Sequence, residues 1–233
     1  MTAVKPIIDQ ALTEWPEKIE AVIFDMDGLL LDTERVYKKV MQELCAEWGH
    51  EMSHEMFAAF VGIPQCENAP IYHKFFGKDF DVETYETVLV ERAHDEMAKG
   101  IPLKHGAKEL VSALDNRKVP IAVATSTGAS AHDHLKSADL HHHFDTIVTR
   151  LDVSQGKPHP EPFLTAAERL NVNPTQCLAF EDSHNGVRSA SAAGIATVMV
   201  PDMLDPTDEI ADMCVAIVPS LLHFKAELDH FFG

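Results

Sequence analysis

The residues that could do chemistry in this chain gather where apolar runs end in oxygen. The stretch AVIFDMDGLLLDTER, residues 21–35, passes from a run fit for burial into Asp25, Asp27, Asp32 and Glu34. Burying one unpaired carboxylate is costly and two carboxylates two positions apart repel, so the pair must face water or share a cation. Thr125, Ser126 and Thr127 follow the run PIAVAT, and Glu181 with Asp182 ends CLAFED. Between these, SQGKPHPEPF places Lys157 before Pro158, which restrains the lysine backbone ahead of a predicted helix and lets its ammonium be aimed from a stiff loop. Such a set suits phosphate together with a hard dication. Mg2+ prefers oxygen ligands and keeps room for water and phosphate, so one ion would relieve the repulsion among Asp25, Asp27 and Asp182.

These groups can meet only if the strands that carry them run side by side. Runs rich in Val, Ile and Ala recur at 21–25, 120–125, 144–149, 177–182, 195–200 and 215–218. From the second onward they alternate with segments of helical period: Ala107, Leu110, Val111 and Leu114, then Phe163, Ala166, Ala167 and Leu170, then Leu221, Leu222, Phe224 and Leu228. Runs apolar on both faces and joined by helices predict an α/β fold, with a Rossmann-like, doubly wound parallel sheet whose carboxyl ends share one edge. Residues 36–100 hold no comparable strand, and Val36, Val40, Met41, Leu44, Cys45 and Trp48 recur at helical spacing. The expected division is a core of residues 1–35 and 101–233 with a small helical insert at 36–100.

The totals narrow the function. Of 233 residues 45% are hydrophobic and 24% charged, the usage of a soluble globular protein, and no apolar stretch approaches the roughly 20 residues of a membrane span. Acids and prolines occupy the N-terminal stretch where a signal peptide would be apolar, which predicts a cytoplasmic protein. Cys45, Cys66, Cys177 and Cys214 are too dispersed for a zinc or redox pair and are expected as reduced thiols. Lys and Arg number 19 against 37 Asp and Glu, and the net charge of −18 repels nucleic acid and anionic membrane. An anionic substrate must therefore be held by local positive groups. The run HHH at 141–143 is expected as a solvated turn, and His54, His73, His94 and His105 as solvated side chains.

FDMDGLLLDTE, VATST, GKPHPEPF and FEDSHNGVRSASAAG, in that order, resemble the four signature motifs of the haloacid dehalogenase superfamily. The resemblance spans nearly the whole chain from about residue 20, and the insert resembles that family's helical C1-type cap. DMDGLLLDTER and EDSHNGV are most similar to the branch that holds phosphatases of small phosphorylated sugars, phosphoglycolate and pseudouridine 5′-phosphate, together with β-phosphoglucomutase.

The resemblance implies that Asp25 attacks phosphorus to give an aspartyl-phosphate, which divides one hard displacement into two. It implies that Asp27 protonates the departing alkoxide and later takes a proton from water, while its backbone carbonyl ligates the metal. Asp182 is implied as a side-chain ligand. Glu181 is placed behind it or at one water's remove, and either acid could instead cap the helix near Ser183. Thr125 and the backbone N–H of Ser126, at the opening of the next helix, would bind phosphate oxygens, and Lys157 would neutralise charge. Gly28 is read as the residue that lets the chain turn after Asp27.

The expected activity is a magnesium-dependent phosphatase acting on a small phosphorylated metabolite. A sugar phosphate mutase is the alternative, weakened because Tyr37 stands where the mutase has histidine and VGIPQCENAP lacks an arginine. A non-catalytic phosphate-binding protein is a third reading. Ile63, Gln65, Glu67 and Asn68 are named as residues that could set specificity.

Overall fold

The computed structural model describes residues 15–60 and 68–232. The chain divides into two compact units, residues 1–32 with 102–233 and residues 33–101. Ile63, Gln65, Glu67 and Cys66 lie outside the described residues.

The unit formed by residues 33–101 is helical throughout its described part, with α1 at Thr33–Glu47, α2 at His54–Phe60, α3 at Ala69–Phe76 and α4 at Val82–Ala98. The apolar spacing read in α1 is its packing face: Val36, Val40, Met41, Leu44 and Cys45 are buried, and α4 answers with Tyr85, Leu89, Ala93 and Met97. Asp81 caps α4 by accepting from the Thr84 amide, satisfying one of the orphan donors of the first turn. A cluster of rings fills the space near α3. Tyr72 packs against Phe60, Phe80 and Tyr85 with centroids 4.6, 5.8 and 5.2 Å apart, and Trp48 meets Tyr85 edge-on at 5.3 Å. Inside it the Tyr85 hydroxyl is met by Cys45 Sγ at 3.0 Å and donates to the Met41 carbonyl at 3.3 Å.

The larger unit holds a six-stranded parallel sheet of β1 (Ala21–Phe24), β2 (Ile121–Ala124), β3 (Thr146–Val148), β4 (Cys177–Glu181), β5 (Ala196–Met199) and β6 (Ala216–Ile217). The spatial order is β3-β2-β1-β4-β5-β6, the doubly wound order in which ligands bind beyond the carboxyl ends near the reversal between β1 and β4. Register is tight across that point: Phe24 pairs with Val123 on one side and Phe180 on the other, so the residues that follow β1, β2 and β4 emerge level with one another. Helices α5 (Ala107–Asn116), α6 (Ala131–Ser137), α7 (Glu161–Leu170), α8 (His184–Ala192), α9 (Asp208–Ala211), α10 (Leu221–Lys225) and α11 (Leu228–Phe232) complete the unit. The small residues of the central strands let α7 and α8 approach, and Phe163, Ala166, Ala167 and Ala190 pack with Ala21, Ile23, Ala122 and Ala179 in one apolar cluster. Phe24 and Phe180 stack at 5.2 Å, and Phe224 of α10 closes on Phe180 at 4.8 Å. These side chains are fully buried, so the strands are held rigidly up to the residues that leave them.

The histidines of HHH form a single 3-10 turn at His141–His143; His143 Nδ1 bonds Asp115 at 2.8 Å, and His141 Nε2 lies 3.1 Å from His132 Nδ1. Cys45, Cys177 and Cys214 are buried thiols. Among the described residues no helix is long and apolar enough to cross a membrane.

Candidate active site

Five segments of the larger unit bring their polar residues to one edge of the sheet. Asp25 leaves β1 with its amide donating to the Phe180 carbonyl, which fixes it beside the end of β4. Its side chain is 9% exposed and its carboxylate accepts from Lys157 Nζ. Lys157 comes from the loop ahead of α7 through a cis Lys157–Pro158 peptide, and its side chain is 5% exposed. The ammonium also donates to Glu181 Oε1 at 2.5 Å and lies 5.0 Å from the centroid of the Phe163 ring.

Glu181 is fully buried with both oxygens engaged. Oε2 accepts from the amides of Asp182 and Ser183 at 3.0 and 3.1 Å and from the Ser183 hydroxyl at 3.1 Å. Glu181 is thus a strut that positions Lys157 and the turn into α8. The cap of that helix is neither acid: Ser183 Oγ accepts from the Gly186 amide. Gly186 is required by Glu181, since a Cβ there would fall 1.8 Å from the Glu181 carboxyl carbon.

Ligand oxygens of Asp25, Glu181 and Asp182 all lie within 4.8 Å of one another. Burial pushes the Asp25 carboxyl up to about 8 against the pull of Lys157, and Glu181 and Asp27 add to the rise. Asp182 is likewise pushed well above the ordinary range by burial, then by Asp25 and Glu181. Burial opposes the charge of Lys157, but Asp25 and Glu181 outweigh it and hold the ammonium above the usual lysine range. One lysine therefore serves three crowded carboxylates. This is the charge deficit that a bound dication removes, and hard carboxylate oxygens are the donors Mg2+ or a similar ion takes.

Asp27 is held from the other side, by hydroxyls. Thr127 Oγ1 donates to Asp27 Oδ2 at 2.7 Å and Thr125 Oγ1 to the same oxygen at 3.3 Å, while the Thr127 amide turns back onto Thr125 Oγ1 at 3.0 Å. That turn corrects one expectation. Ser126 is exposed and does not open a helix; α6 begins only at Ala131, because the chain first folds back on Thr125 and ties the Thr127 carbonyl to the Arg150 amide. Gly28 adopts φ of +85° and makes a close approach as well as a turn, since a Cβ there would lie 2.3 Å from Asp182 Oδ2. The Gly28 amide bonds the Leu31 carbonyl at 2.8 Å, closing the loop after Asp27.

Thr127 was visible in the sequence only as one of three hydroxyl residues after β2, with nothing to mark it as a partner of Asp27, 100 positions earlier. Asp202 was missed. It follows β5, pairs with Lys104 at 2.5 Å, and has a buried Oδ2 without a partner among the described residues, 3.2 Å from where a Gly28 Cβ would stand. Its only sequence signal was its place just beyond an apolar run.

A parallel sheet that gathers a buried aspartate, a lysine and an acid cluster at its reversal point defines a hydrolase of the phosphoryl-transfer kind. Residues 22–200 match the family described as haloacid dehalogenase-like hydrolase, and the chain belongs to that family. Its class is that of the phosphoric monoester hydrolases. The chain is 37% identical over 232 residues to (DL)-glycerol-3-phosphatase 2 of Arabidopsis thaliana, with 93% of each chain covered. It is 34% identical over 184 residues to a phosphorylated carbohydrates phosphatase of Thermotoga maritima, covering 77% of this chain and 84% of that one. Among solved structures it is similar to a putative β-phosphoglucomutase from Thermotoga maritima, with a TM-score of 0.79, 30% identity, and coverage of 91% and 99%.

Proposed function

We infer that the protein hydrolyses the phosphomonoester of a small metabolite, with Asp25 as nucleophile, and that a magnesium ion assists. The observation that supports this most directly is the buried Lys157 ammonium bonded at once to Asp25 and Glu181, while Asp27 is fixed separately by two threonines. In the first step an Asp25 oxygen forms a bond to phosphorus as the ester P–O bond breaks, and Asp27 gives its proton to the leaving alcohol oxygen. In the second, Asp27 takes a proton from water as the water oxygen attacks phosphorus and Asp25 is released. Thr127 keeps the Asp27 carboxyl aimed through both steps. This leaves the Thr125 hydroxyl able to turn from its longer bond to Asp27 toward a phosphate oxygen, beside the Ser126 amide. Lys157 offsets negative charge on the transferring group.

The side chains of Asp25 and Asp182 and the backbone carbonyl of Asp27 would hold the metal, which supplies charge neutralisation between two negative reactants. Residues 33–101 would then be the cap. The relatives act, by their names, on glycerol 3-phosphate and phosphorylated carbohydrates, which supports a small phosphorylated polyol or sugar as substrate. The likeness to a putative β-phosphoglucomutase supports a second reading, a mutase, against which Tyr37 and the absence of arginine in VGIPQCENAP count. Release of phosphate from an aryl phosphate with magnesium, lost on adding EDTA and in Asp25→Asn, tests the hydrolase. Interconversion of sugar monophosphates that depends on a bisphosphate would instead select the mutase.

A further inference from the structure

Lys104 and Asp202 both belong to the larger unit and close the acid cluster from a side that the roles of Asp25, Asp27 and Asp182 do not use. Lys104 Nζ donates to Asp202 Oδ1 at 2.5 Å, and the two side chains are 24% and 13% exposed. The lysine is placed by its own backbone. Its amide donates to the Leu30 carbonyl at 3.0 Å and the Asp32 amide donates to the Pro102 carbonyl at 2.8 Å, so residues 102–104 are sewn to the loop that carries Gly28. Asp202 arrives from the end of β5, the strand paired with β4. Its second oxygen, Oδ2, is buried and has no partner among the described residues. That oxygen and Asp182 Oδ2 lie 3.2 and 2.3 Å from a single point, the place a Cβ on Gly28 would take, so the two carboxylates converge across a residue that has no side chain.

An ion pair that only fastened two loops would not need its second oxygen turned toward another acid. Asp202 is also outside the set of Asp25, Glu181 and Asp182, whose oxygens lie within 4.8 Å of one another. Oxygens bound to one Mg2+ at its usual bond length are at most about 4.2 Å apart, so Asp202 does not share an ion directly with both Asp25 and Asp182. A hydrated ion has a use for an acid at that remove. Mg2+ takes six ligands and gives up water reluctantly; with two carboxylates, one carbonyl and one phosphate oxygen around it, about two positions keep water. A water whose lone pair is on a cation can only donate, and it needs buried acceptors that no other donor has taken. Asp202 Oδ2 is such an acceptor. Glu181 is not, since its two oxygens already receive Lys157, the Ser183 hydroxyl and two amides.

We propose that Asp202 is a positioning residue of the cation site, fixed through one oxygen by Lys104 and accepting with the other a hydrogen bond from a water held by the ion. The inference rests on the phosphatase reading in one respect: it takes a divalent cation to be held by Asp25 and Asp182. Lys104 then has two effects of opposite sign on that ion. Its charge repels the cation, and its hydrogen bond keeps Asp202 from swinging away. The second effect outweighs the first if Asp202 acts by position rather than by charge.

The test is the affinity of the full chain for Mg2+ alone, by calorimetry without substrate, with Mn2+ and its EPR signal as an independent probe. Asp202→Asn keeps the size of the side chain; its one oxygen stays with Lys104, and an N–H donor then stands where an acceptor is needed. The dissociation constant for Mg2+ should rise by about 10- to 100-fold, the range for loss of a partner one shell beyond the ligands. Lys104→Met should also weaken the ion, by about tenfold. A merely structural ion pair would lower stability in EDTA and leave both constants where they are. Unchanged affinity in Asp202→Asn overturns the proposal, as does tighter binding in Lys104→Met, which would mean that Asp202 acts by charge alone. A wild type that binds neither ion overturns it too. Should Asp202→Asn fail to fold, the direction of the change in Lys104→Met decides. If both variants bind more weakly but no phosphate ester is hydrolysed, the phosphatase reading falls and the role of Asp202 stands. If esters are hydrolysed with Mg2+ and Asp202→Asn binds the ion as wild type does, the reverse holds.

Discussion

At the sheet edge, Lys157 is met by two carboxylates, Glu181 by a lysine and three backbone or hydroxyl donors, and Asp27 by two threonines. In the helical unit, Tyr72 and Asn68 line a cavity with a hydroxyl and a carbonyl oxygen that no described residue satisfies. The difference teaches how the two jobs are divided. Groups that handle phosphate must be aimed before the substrate arrives, because electrostatic stabilisation is effective only when no reorganisation is needed at the moment of reaction. The helical unit is under no such demand, and a buried hydroxyl and amide oxygen there can stay without a partner among the described residues.

The comparison breaks most visibly at Asp25. Asp25→Asn should lower kcat by roughly 10⁴-fold or more, the scale of losing a covalent nucleophile whose partners act as a unit. The same substitution should not destabilise the metal-free protein, because it removes one of three crowded carboxylates. The sign follows from the direction of the shift. The folded Asp25 carboxyl is raised from 3.8 to about 8, so its contribution to stability is complete below 3.8 and is lost as pH rises through about 8. In EDTA the melting temperature of Asp25→Asn should therefore pull ahead of wild type between pH 4 and pH 8. A wild type that stays level with the variant across that range would show that the acids are not in conflict.

Magnesium sharpens the contrast from the other direction. Saturation at 100 times the dissociation constant should stabilise wild type by about 2.7 kcal/mol, and Asp182→Asn should remove most of that gain. Calorimetry with and without the ion reads both. A similar gain in Asp182→Asn would move the ion away from the acid cluster. Gly186→Ala comes next in size: its Cβ would sit 1.8 Å from the Glu181 carboxyl carbon, in a buried place that cannot give. Overpacking of this kind costs about 1–3 kcal/mol, and it displaces the strut that holds Lys157. Stability by denaturant and kcat should fall together, and a fall in stability alone would separate Glu181 from the chemistry.

How far the sequence reaches follows the same line between prepared and unfinished parts. The strands were legible because runs such as AVIF and CLAFE are apolar on both faces, and the residues that end them were legible because an acid after such a run needs a reason. Gly28 was only partly legible, and Gly186 was not. A turn after Asp27 is a local matter, but the approach of Asp182 to Gly28 and of Glu181 to Gly186 depends on packing between elements. Thr127 and Asp202 carry no local mark beyond their place just after an apolar run, since each acquires its role from a neighbour brought near by the sheet. Ser126 was misread because the loop of residues 126–130 spends its turn on the Thr125 side chain before α6 can begin. The cavity was out of reach, because an amphipathic helix shows which face is buried and not what that face leaves unfilled.

The smallest effect is the most discriminating, because it compares two buried tyrosines of one cluster, 5.2 Å apart between ring centroids. Tyr85 has its hydroxyl bracketed by the Cys45 sulfur and the Met41 carbonyl, so Tyr85→Phe leaves a buried thiol and a buried carbonyl short of a partner. That loss should cost about 1–2 kcal/mol. Tyr72→Phe removes a hydroxyl without a partner among the described residues and keeps the ring that packs against Phe60 and Phe80. Its cost in stability should be close to zero, or slightly negative. Urea unfolding of the two variants reads the difference directly. Equal costs would mean that the Tyr72 hydroxyl is spent on the fold, and the contrast between a finished site and an open one would fail at its most local point.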